Sequence, residues 1–337
     1  MKKVMSEMIS DEFLQLITGQ VFVGHGVLIA QELGLFKLLC QNAMTVSSIA
    51  EKLLISPRAA QALLSSSGAL ELVECKENKY QLSKLGKLYL DPVNEGYYGN
   101  LLELLVQQAD IMNYSTIKKA ILSDLSQIVD GEELFGGKKN ISSTKEFIRS
   151  LYQKAFRPAF YWPTIVDLKS YKKIVDIGAG SGIYTISACL HNTHLEGVVC
   201  DRSLVVPILQ EYINQFSMQK RIKVLNMDMW NEDFPKSDIF FFGDIFHDWP
   251  KEKCLELAKK SYHSLTDDGV IILHEMLFND EKTKPLLTAG YNMKMMLWTE
   301  GQQFSNSEIT DLLTKTGFKE IRILPSLGNW SIIIGKK

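Results

Sequence analysis

Apolar residues follow two different spacings along the chain. Up to about residue 170 they recur at helical intervals, as in FLQLITGQVFVGHGVLIAQELGLFKLL at 13–39. From residue 171 onward, short apolar runs of strand length alternate with helical segments. This alternation predicts an α/β domain with a parallel sheet that helices cover on both faces. Strands are expected at 172–178, 195–201, 222–228, 237–246, 269–275, 318–324 and 330–336, the last two forming a hairpin that can reverse direction.

The first part of the chain contains a helix-turn-helix pattern followed by a short hairpin. Thr45 and Ser56 are candidate N-caps of two helices, and Pro57 occupies the first helical position of the second. The segment LELVECKENKYQLS at 70–83 then alternates between apolar and polar residues and turns at Lys76–Lys79. Together these features predict a winged helix.

A winged helix either binds DNA or serves as a dimerisation or lid module, and composition separates these functions. Phosphate contacts need several Lys or Arg residues, and base readout needs Arg, Asn or Gln at the start of the recognition helix. Residues 45–68 contain only three charged side chains, Glu51, Lys52 and Arg58. We therefore expect residues 1–100 to form a mostly helical dimerisation domain. Residues 101–337 form the second domain, which begins with further helices.

The composition is that of a soluble globular protein. Of the 337 residues, 46% are hydrophobic and 23% are charged, and the formal net charge of −2 offers no field that would attract nucleic acid or a membrane. The five cysteines include no CxxC pair, which argues against a disulfide framework or a zinc knuckle. Acidic residues stand where a signal peptide needs its apolar stretch, and the apolar runs are far shorter than the roughly 20 residues that span a bilayer. We expect a cytoplasmic protein.

The first strand of the second domain ends in a glycine-rich turn. Asp176 precedes Gly178, Gly180 and Gly182, which let the backbone turn tightly and approach a ligand closely. The GxGxG spacing is neither that of a Walker A loop nor the GxGxxG of a dinucleotide site. An acid at this point suits a ligand that carries an ammonium group and repels phosphate.

Acidic residues also follow the next two strands. Asp201 ends the second strand, where a carboxylate can hold a ribose diol. Asp228 and Met229 follow the third, where they offer an acceptor for an exocyclic amine and an apolar surface for a purine. Each aspartate alone could be a helix N-cap. Acids at the carboxyl ends of three consecutive strands instead indicate a cationic nucleoside without phosphate, S-adenosylmethionine.

From about residue 10 to 335 the chain resembles the class I small-molecule O-methyltransferases of the plant caffeate type and the bacterial secondary-metabolite type. The resemblance rests on VDIGAGSG at 175–182, the acid after VVC at 201, NMDMW at 226–230, and FHDWP at 246–250 followed by DDGVIILHE. It implies a Rossmann-like seven-stranded methyltransferase sheet behind an N-terminal winged-helix dimerisation domain, and thus a homodimer. It also implies that the glycine turn and Asp176 bind the methionine end of the cofactor, Asp201 its ribose, and Asp228 with Met229 its adenine.

Two residues at the ends of the fourth and fifth strands are candidates for the chemistry. His247 follows the fourth strand, which is expected to end at Phe246, and Glu275 ends the fifth. Methyl transfer mainly requires an oriented, deprotonated nucleophile, and His is the side chain best suited to accept the proton of a hydroxyl at neutral pH. Glu275 could fix the imidazole tautomer. In the resembled family the matching histidine is the general base. His247 could alternatively be a helix-capping loop residue. His274 faces the other side of the sheet by strand alternation.

Two positions depart from the plant-like pattern of the family. Gln303 stands where those members carry a second glutamate, and Gly243 stands where a basic residue precedes the histidine by four positions. C-methylation, N-methylation and a non-methylating use of the cofactor therefore stay open, and a DNA-binding regulator is a less favoured alternative. No HExxH motif or cluster of His and carboxylates supports a metal site, and we expect none.

Aromatic and methionine residues on two helical segments are the candidates for the acceptor pocket. Such side chains form adaptable apolar walls that suit a small aromatic, hydroxylated acceptor. One segment lies near 152–162, and the other spans 291–298 with candidates at i, i+4 and i+7. The predicted substrate-binding residues are Tyr152, Phe156, Trp162, Tyr291, Met295 and Trp298.

Overall fold

The computed structural model describes residues 11–127 and 141–337, with side chains from residue 144 onward in the second range. The chain forms two compact units, Met1–Ala109 and Asp110–Lys337. The polar interruption expected at 130–140 lies outside the described residues.

The first unit is mostly helical and contains the expected hairpin. Thr45 and Ser56 cap α3 and α4 by accepting hydrogen bonds from backbone amides three residues on. The strands β1 and β2 pair antiparallel around a turn at residues 77–78. The elements are α1 (Glu12–Glu32), α2 (Leu35–Gln41), α3 (Val46–Leu53), α4 (Pro57–Ala69), β1 (Val73–Lys76), β2 (Lys79–Leu82), α5 (Lys84–Leu90) and α6 (Gly99–Gln107).

The N-terminal part of α1 presents apolar side chains that nothing covers within its unit. Phe13, Ile17 and Phe22 are 81%, 67% and 75% exposed. Among the described residues, α1 is also the one helix that is long and apolar enough to cross a membrane by length and composition alone, which the short apolar runs did not indicate. An exposed apolar surface of this kind marks a site of association.

The second unit contains the seven-stranded sheet that the alternating pattern predicts. Its order is β5-β4-β3-β6-β7-β9-β8, in which β3 to β7 are parallel and β9 runs antiparallel to both of its neighbours. The elements are α7 (Tyr114–Ser123), α8 (Ile141–Ile165), β3 (Lys173–Ile177), α9 (Ile183–His191), β4 (Glu196–Asp201), α10 (Val206–Gln215), β5 (Ile222–Asn226), β6 (Ser237–Gly243), α11 (Lys251–Ser264), β7 (Leu265–Glu275), α12 (Leu286–Trp298), α13 (Asn306–Lys315), β8 (Lys319–Pro325) and β9 (Ser331–Lys336).

Helices cover both faces of this sheet, which explains why its central strands are apolar without alternation. Phe241 packs on the side of α8, α9 and α10, whereas Phe240 and Phe242 pack on the side of α11 and α13. All three side chains are fully buried. Burying each contributes about 1.5–3 kcal/mol relative to leaving it exposed.

Two strands end earlier than the sequence predicts. The expectation that the fourth strand of the sheet ends at Phe246 is wrong, since β6 ends at Gly243 and residues Phe246–Asp248 form a 3-10 turn. Asp244 adopts a left-handed conformation (φ 58°) that ends the strand. β5 ends at Asn226, two residues before Asp228. Both segments are thereby released from the sheet and form loops at its carboxyl edge.

Candidate active site

The glycine turn after β3 brings backbone to the carboxyl edge of the sheet. Gly178, Gly180 and Gly182 all have positive φ values, of 70°, 57° and 72°. A Cβ on Gly178 would stand 2.4 Å from Cδ1 of Ile245. The amide N–H groups of Gly178 and Ala179 donate to the carbonyl of Cys200, which ties the turn to β4. Gly182 is different: it starts α9, faces Leu209 and lines neither of the cavities described below.

A cavity of about 420 Å³ lies on one side of this turn. It is lined by Asp201 at the end of β4, and by Asp228 and Met229 in the loop after β5. The carboxylate of Asp201 accepts hydrogen bonds from the amides of Gly180 and Arg202, both at 2.8 Å. Burial raises the pKa of Asp201 to about 6 despite these bonds. The carboxylate of Asp228 accepts from the amide of Trp230 at 3.0 Å and pairs with Arg202 at 3.4 Å. Both acids therefore face one cavity.

A second cavity, of about 130 Å³, lies on the other side of the turn. Gly178 and Asp248 line both cavities, which therefore adjoin. Asp176 reaches the second one, where its carboxylate accepts a hydrogen bond from the hydroxyl of Thr185 at 2.9 Å. Burial raises the pKa of Asp176 to about 7. His247, Tyr291, Met295 and Trp298 line the same space.

His247 and Glu275 form a buried pair at the wall of the second cavity. Nδ1 of His247 lies 2.6 Å from a carboxylate oxygen of Glu275, whose other oxygen accepts from the amide of Phe246 at 2.8 Å. Nε2 is 3.5 Å from a carboxylate oxygen of Asp248. Burial alone would lower the pKa of His247, but the charges of Glu275 and Asp248 outweigh it and raise the pKa to about 9. Glu275 thus contacts Nδ1 of the ring, and Asp248 lies beside Nε2.

Asp244 is a further acid that lies close to His247 and Glu275. Donor atoms of Asp244, His247 and Glu275 lie within 4.8 Å of one another and by distance could hold a metal ion, a grouping that the sequence pattern did not indicate. Protein groups already contact both acids, because Asp244 pairs with the ammonium of Lys154 at 2.8 Å and Glu275 binds His247. Lys154 also donates to the hydroxyl of Tyr291 at 2.8 Å.

His274 takes no part in this arrangement. It lies on the opposite face of β7, as alternation predicts, where its Nδ1 is 3.1 Å from the hydroxyl of Tyr184 and its ring stacks on Trp330. Burial lowers the pKa of His274 to about 4, so the ring is neutral at physiological pH.

The acceptor residues predicted on α8 lie on a different face of the helix from the residues that line the second cavity. Tyr152 stacks on Tyr212, and Phe156 packs beside it. The indole N–H of Trp162 donates to the carbonyl of Tyr184 in the core. None of these three predicted residues lines the second cavity, to which α8 instead presents Phe147, Leu151, Lys154 and Ala155. Their spacing of i, i+4, i+7 and i+8 is the helical signal that could have found them.

Gln303 is fully buried and does not line either of these cavities. Its backbone N–H donates to the side-chain oxygen of Asn292 at 2.8 Å. Neither polar atom of its own side chain has a hydrogen-bond partner among the described residues. At this position the side chain adds no charge to the acids near His247, which are Glu275, Asp248 and Asp244.

A family model for the O-methyltransferase domain matches residues 143–319, which is more than half of the chain. The chain belongs to this O-methyltransferase family. The methyltransferase also matches the model of the O-methyltransferase dimerisation domain, over residues 20–92. The first unit is therefore similar to a dimerisation module.

Known proteins are similar to the methyltransferase over nearly its whole length. It is 25% identical to a 3-hydroxy-5-methyl-1-naphthoate 3-O-methyltransferase from Streptomyces sahachiroi, over 91% of this chain and 90% of that one. It is 24% identical to the tetracenomycin polyketide synthesis 8-O-methyl transferase TcmO from Streptomyces glaucescens, over 94% of each. In fold it is similar to human N-acetylserotonin methyltransferase in complex with S-adenosylmethionine, with a TM-score of 0.83, 24% identity and 99% of each chain covered.

S-adenosylmethionine is the cofactor of the methyltransferase. The residues of this chain fit it: Gly178 lines a cavity of about 420 Å³ that also carries the carboxylates of Asp201 and Asp228. Asp176 offers a carboxylate beyond the turn. When bound, the cofactor supplies a methyl group on a positively charged sulfur, and the sulfur would keep the electrons of the C–S bond when the methyl group is transferred.

Proposed function

We propose that the methyltransferase acts on a hydroxyl of a small aromatic acceptor and that His247 is the general base. The observation that carries this proposal is the buried contact of 2.6 Å between Nδ1 of His247 and Glu275, in the wall of a cavity that adjoins the glycine turn. Glu275 holds the proton on Nδ1 and leaves Nε2 as the acceptor. The hydroxyl proton of the substrate passes to Nε2.

The environment of His247 suits the deprotonation of a phenol. Its pKa of about 9 lies close to the value of about 10 that is typical of a phenol, so little free energy separates the phenol from the unprotonated imidazole, the form that accepts the proton and that becomes more abundant as the pH rises. The imidazolium that forms lies between two carboxylates, those of Glu275 and Asp248. The rest of the rate enhancement comes from holding the acceptor in line.

The walls of the second cavity favour a flat apolar acceptor. Phe147 and Trp298 stack with their ring centroids 6.2 Å apart, and Met295 lies on the same helix as Trp298. Aromatic and thioether side chains bind rings through dispersion and offset stacking. Both Streptomyces relatives are named as methyltransferases that act on oxygen, and the name of one specifies a hydroxylated naphthoate, which supports an aromatic hydroxyl as the acceptor.

We further propose that the protein is a cytoplasmic homodimer. The match to a dimerisation domain begins at residue 20 and so includes the exposed Phe22 of α1. The exposed Phe13 and Ile17 precede the matched range on the same helix, and a second copy would cover all three side chains. The five cysteines are free thiols, which fits a reducing compartment. The winged-helix pattern would then serve association between subunits.

Mass spectrometry of incubations with S-adenosylmethionine and a panel of phenols tests the function. We expect products heavier by one methylene unit together with S-adenosylhomocysteine, and nuclear magnetic resonance spectra that place the new methyl on oxygen. A methyl group on carbon or nitrogen would support the alternatives that Gln303 leaves open. Release of S-adenosylhomocysteine without a methylated acceptor would contradict the proposal. Retention of DNA with a steep salt dependence would support a regulator instead.

A further inference from the structure

Lys294 places a second cation in the wall of the acceptor cavity. It lies on α12 between two aromatic rings, with Nζ 5.3 Å from the ring centroid of Tyr291 and 4.7 Å from that of Trp298. Lys154, the other lysine of this cavity, pairs with Asp244 at 2.8 Å. In the part of the chain that the structure describes, by contrast, the ammonium of Lys294 forms no ion pair with a carboxylate.

The acids of the same cavity are already engaged with other groups. Asp244 pairs with Lys154, Asp248 lies 3.5 Å from Nε2 of His247, and Asp176 accepts from Thr185. None of these contacts involves the ammonium of Lys294. A carboxylate brought by a ligand can therefore supply its partner.

Lys294 remains charged at neutral pH in this setting. Burial, together with the positive charge of Lys154, lowers its pKa to about 8, which still leaves the amine mostly protonated at pH 7. The faces of the two rings stabilise the cation. The side chain is half-buried and loses part of its hydration, a loss that a carboxylate bound beside it would offset.

We propose that Lys294 binds a carboxylate of the acceptor, so that the methyltransferase acts on hydroxylated aromatic acids. The inference rests on the proposed function, because it assigns the acceptor to this cavity. Tyr291 links the two ends of the site: its ring is a neighbour of both the Lys294 ammonium and the His247 imidazole, with the two ring centroids 6.3 Å apart. An aromatic acid with its carboxylate at Lys294 can direct a hydroxyl toward His247.

The methionine end of the cofactor also carries a carboxylate, and the test has to separate these two sources. The probes are caffeic acid, 3-hydroxybenzoic acid and 6-hydroxy-2-naphthoic acid, each paired with its methyl ester. Binding is measured by calorimetry in the presence of S-adenosylhomocysteine, and kcat/KM is measured for the same pairs. Binding of S-adenosylhomocysteine alone is measured in parallel, which also shows that each variant is folded.

Wild-type protein should prefer the acid of at least one pair. Lys294→Met should lower this preference by about 10- to 100-fold, the effect of losing a charge-assisted hydrogen bond. Lys294→Arg, which keeps the charge, should retain most of it. Lys259→Met, at an exposed position of α11, is the matched control and should leave the preference unchanged.

Three results would overturn the proposal. The first is equal or absent binding and turnover of acid and ester in every pair, and the second is an acid preference that persists in Lys294→Met. The third is a loss of S-adenosylhomocysteine binding in Lys294→Met that is as large as the loss of acid binding. The last would assign Lys294 to the cofactor. Failure of the proposed function looks different, since the acids would then bind in a Lys294-dependent manner without being methylated. Equal methylation of esters and acids would support the proposed function and contradict the proposal that Lys294 binds the carboxylate of the acceptor.

Discussion

Glu275→Gln should move the pH profile of the methyltransferase toward neutral pH. Glutamine keeps the shape of the side chain and an oxygen that can accept from the amide of Phe246, which Glu275 accepts at 2.8 Å. It removes the negative charge that lies 2.6 Å from Nδ1 of His247. The substitution therefore tests the electrostatics of the pair while it preserves the packing.

The magnitude follows from the balance at His247. Burial alone would lower the pKa of the imidazole below its ordinary value of 6.5, whereas Glu275, followed by Asp248, raises it to about 9. At 1.36 kcal/mol per pKa unit, this net rise corresponds to about 3 kcal/mol in favour of the imidazolium. Since Glu275 is the largest favourable contribution, its loss should lower the pKa of His247 by roughly 1–3 units, the usual effect of an adjacent opposite charge.

The assay is kcat/KM between pH 6 and pH 10 with an acceptor that stays neutral apart from its hydroxyl. His247 must be unprotonated to act as a base, so activity should rise with pH through the pKa of the free enzyme, about 9 in the wild type. The midpoint should fall in Glu275→Gln, and the plateau should also fall because the imidazole is less firmly oriented. Identical midpoints in both proteins would refute the argument that Glu275 sets the pKa of His247.

Four further substitutions test the cofactor site, the subunit interface and the glycine turn. Asp201→Ala should weaken binding of S-adenosylhomocysteine by about 1–3 kcal/mol in calorimetry, and wild-type affinity would remove Asp201 from the site. Phe22→Asp, at a position 75% exposed on α1, should convert a dimer into a monomer in sedimentation at micromolar concentration, and an unchanged dimer would place the interface elsewhere. Gly178→Ala, at φ 70°, should lower the free energy of unfolding by about 1–2 kcal/mol, measured in urea. The loss should exceed that of Gly180→Ala, because only a Cβ at position 178 meets Ile245 at 2.4 Å. An equal loss in both variants would attribute the cost to the backbone conformation alone.

The strands of the sheet are predictable because helices cover both faces and leave nearly continuous apolar runs such as IFFF at 239–242. The ends of those strands are less predictable, since Asp244 and the turn after it obey local backbone geometry that apolar patterning does not report. His247 and Glu275 are adjacent despite the earlier end of β6, because both lie at the carboxyl edge of the sheet.

The acceptor residues on α8 were harder to predict for a different reason. The helix packs aromatic side chains such as Tyr152 and Trp162 against the core on one face and presents Phe147 and Leu151 to the cavity on another. Apolar residues on both faces carry no signal that distinguishes core from pocket. Lys154 was missed because an isolated lysine on a helix is usually solvated, whereas here its side chain is 9% exposed and paired with Asp244.

The most direct test of the account compares wild-type protein with His247→Ala on phenols whose hydroxyl pKa values range from about 10 down to about 7. Binding of S-adenosylhomocysteine to the variant confirms that its cofactor site is intact. Because a positioned base contributes about 10²–10⁴-fold, turnover should fall by that factor for the least acidic phenol. The loss should shrink steadily as the phenol becomes more acidic and ionises without help. A loss that is independent of the pKa of the acceptor, or no loss at all, would contradict the assignment of His247 as the general base.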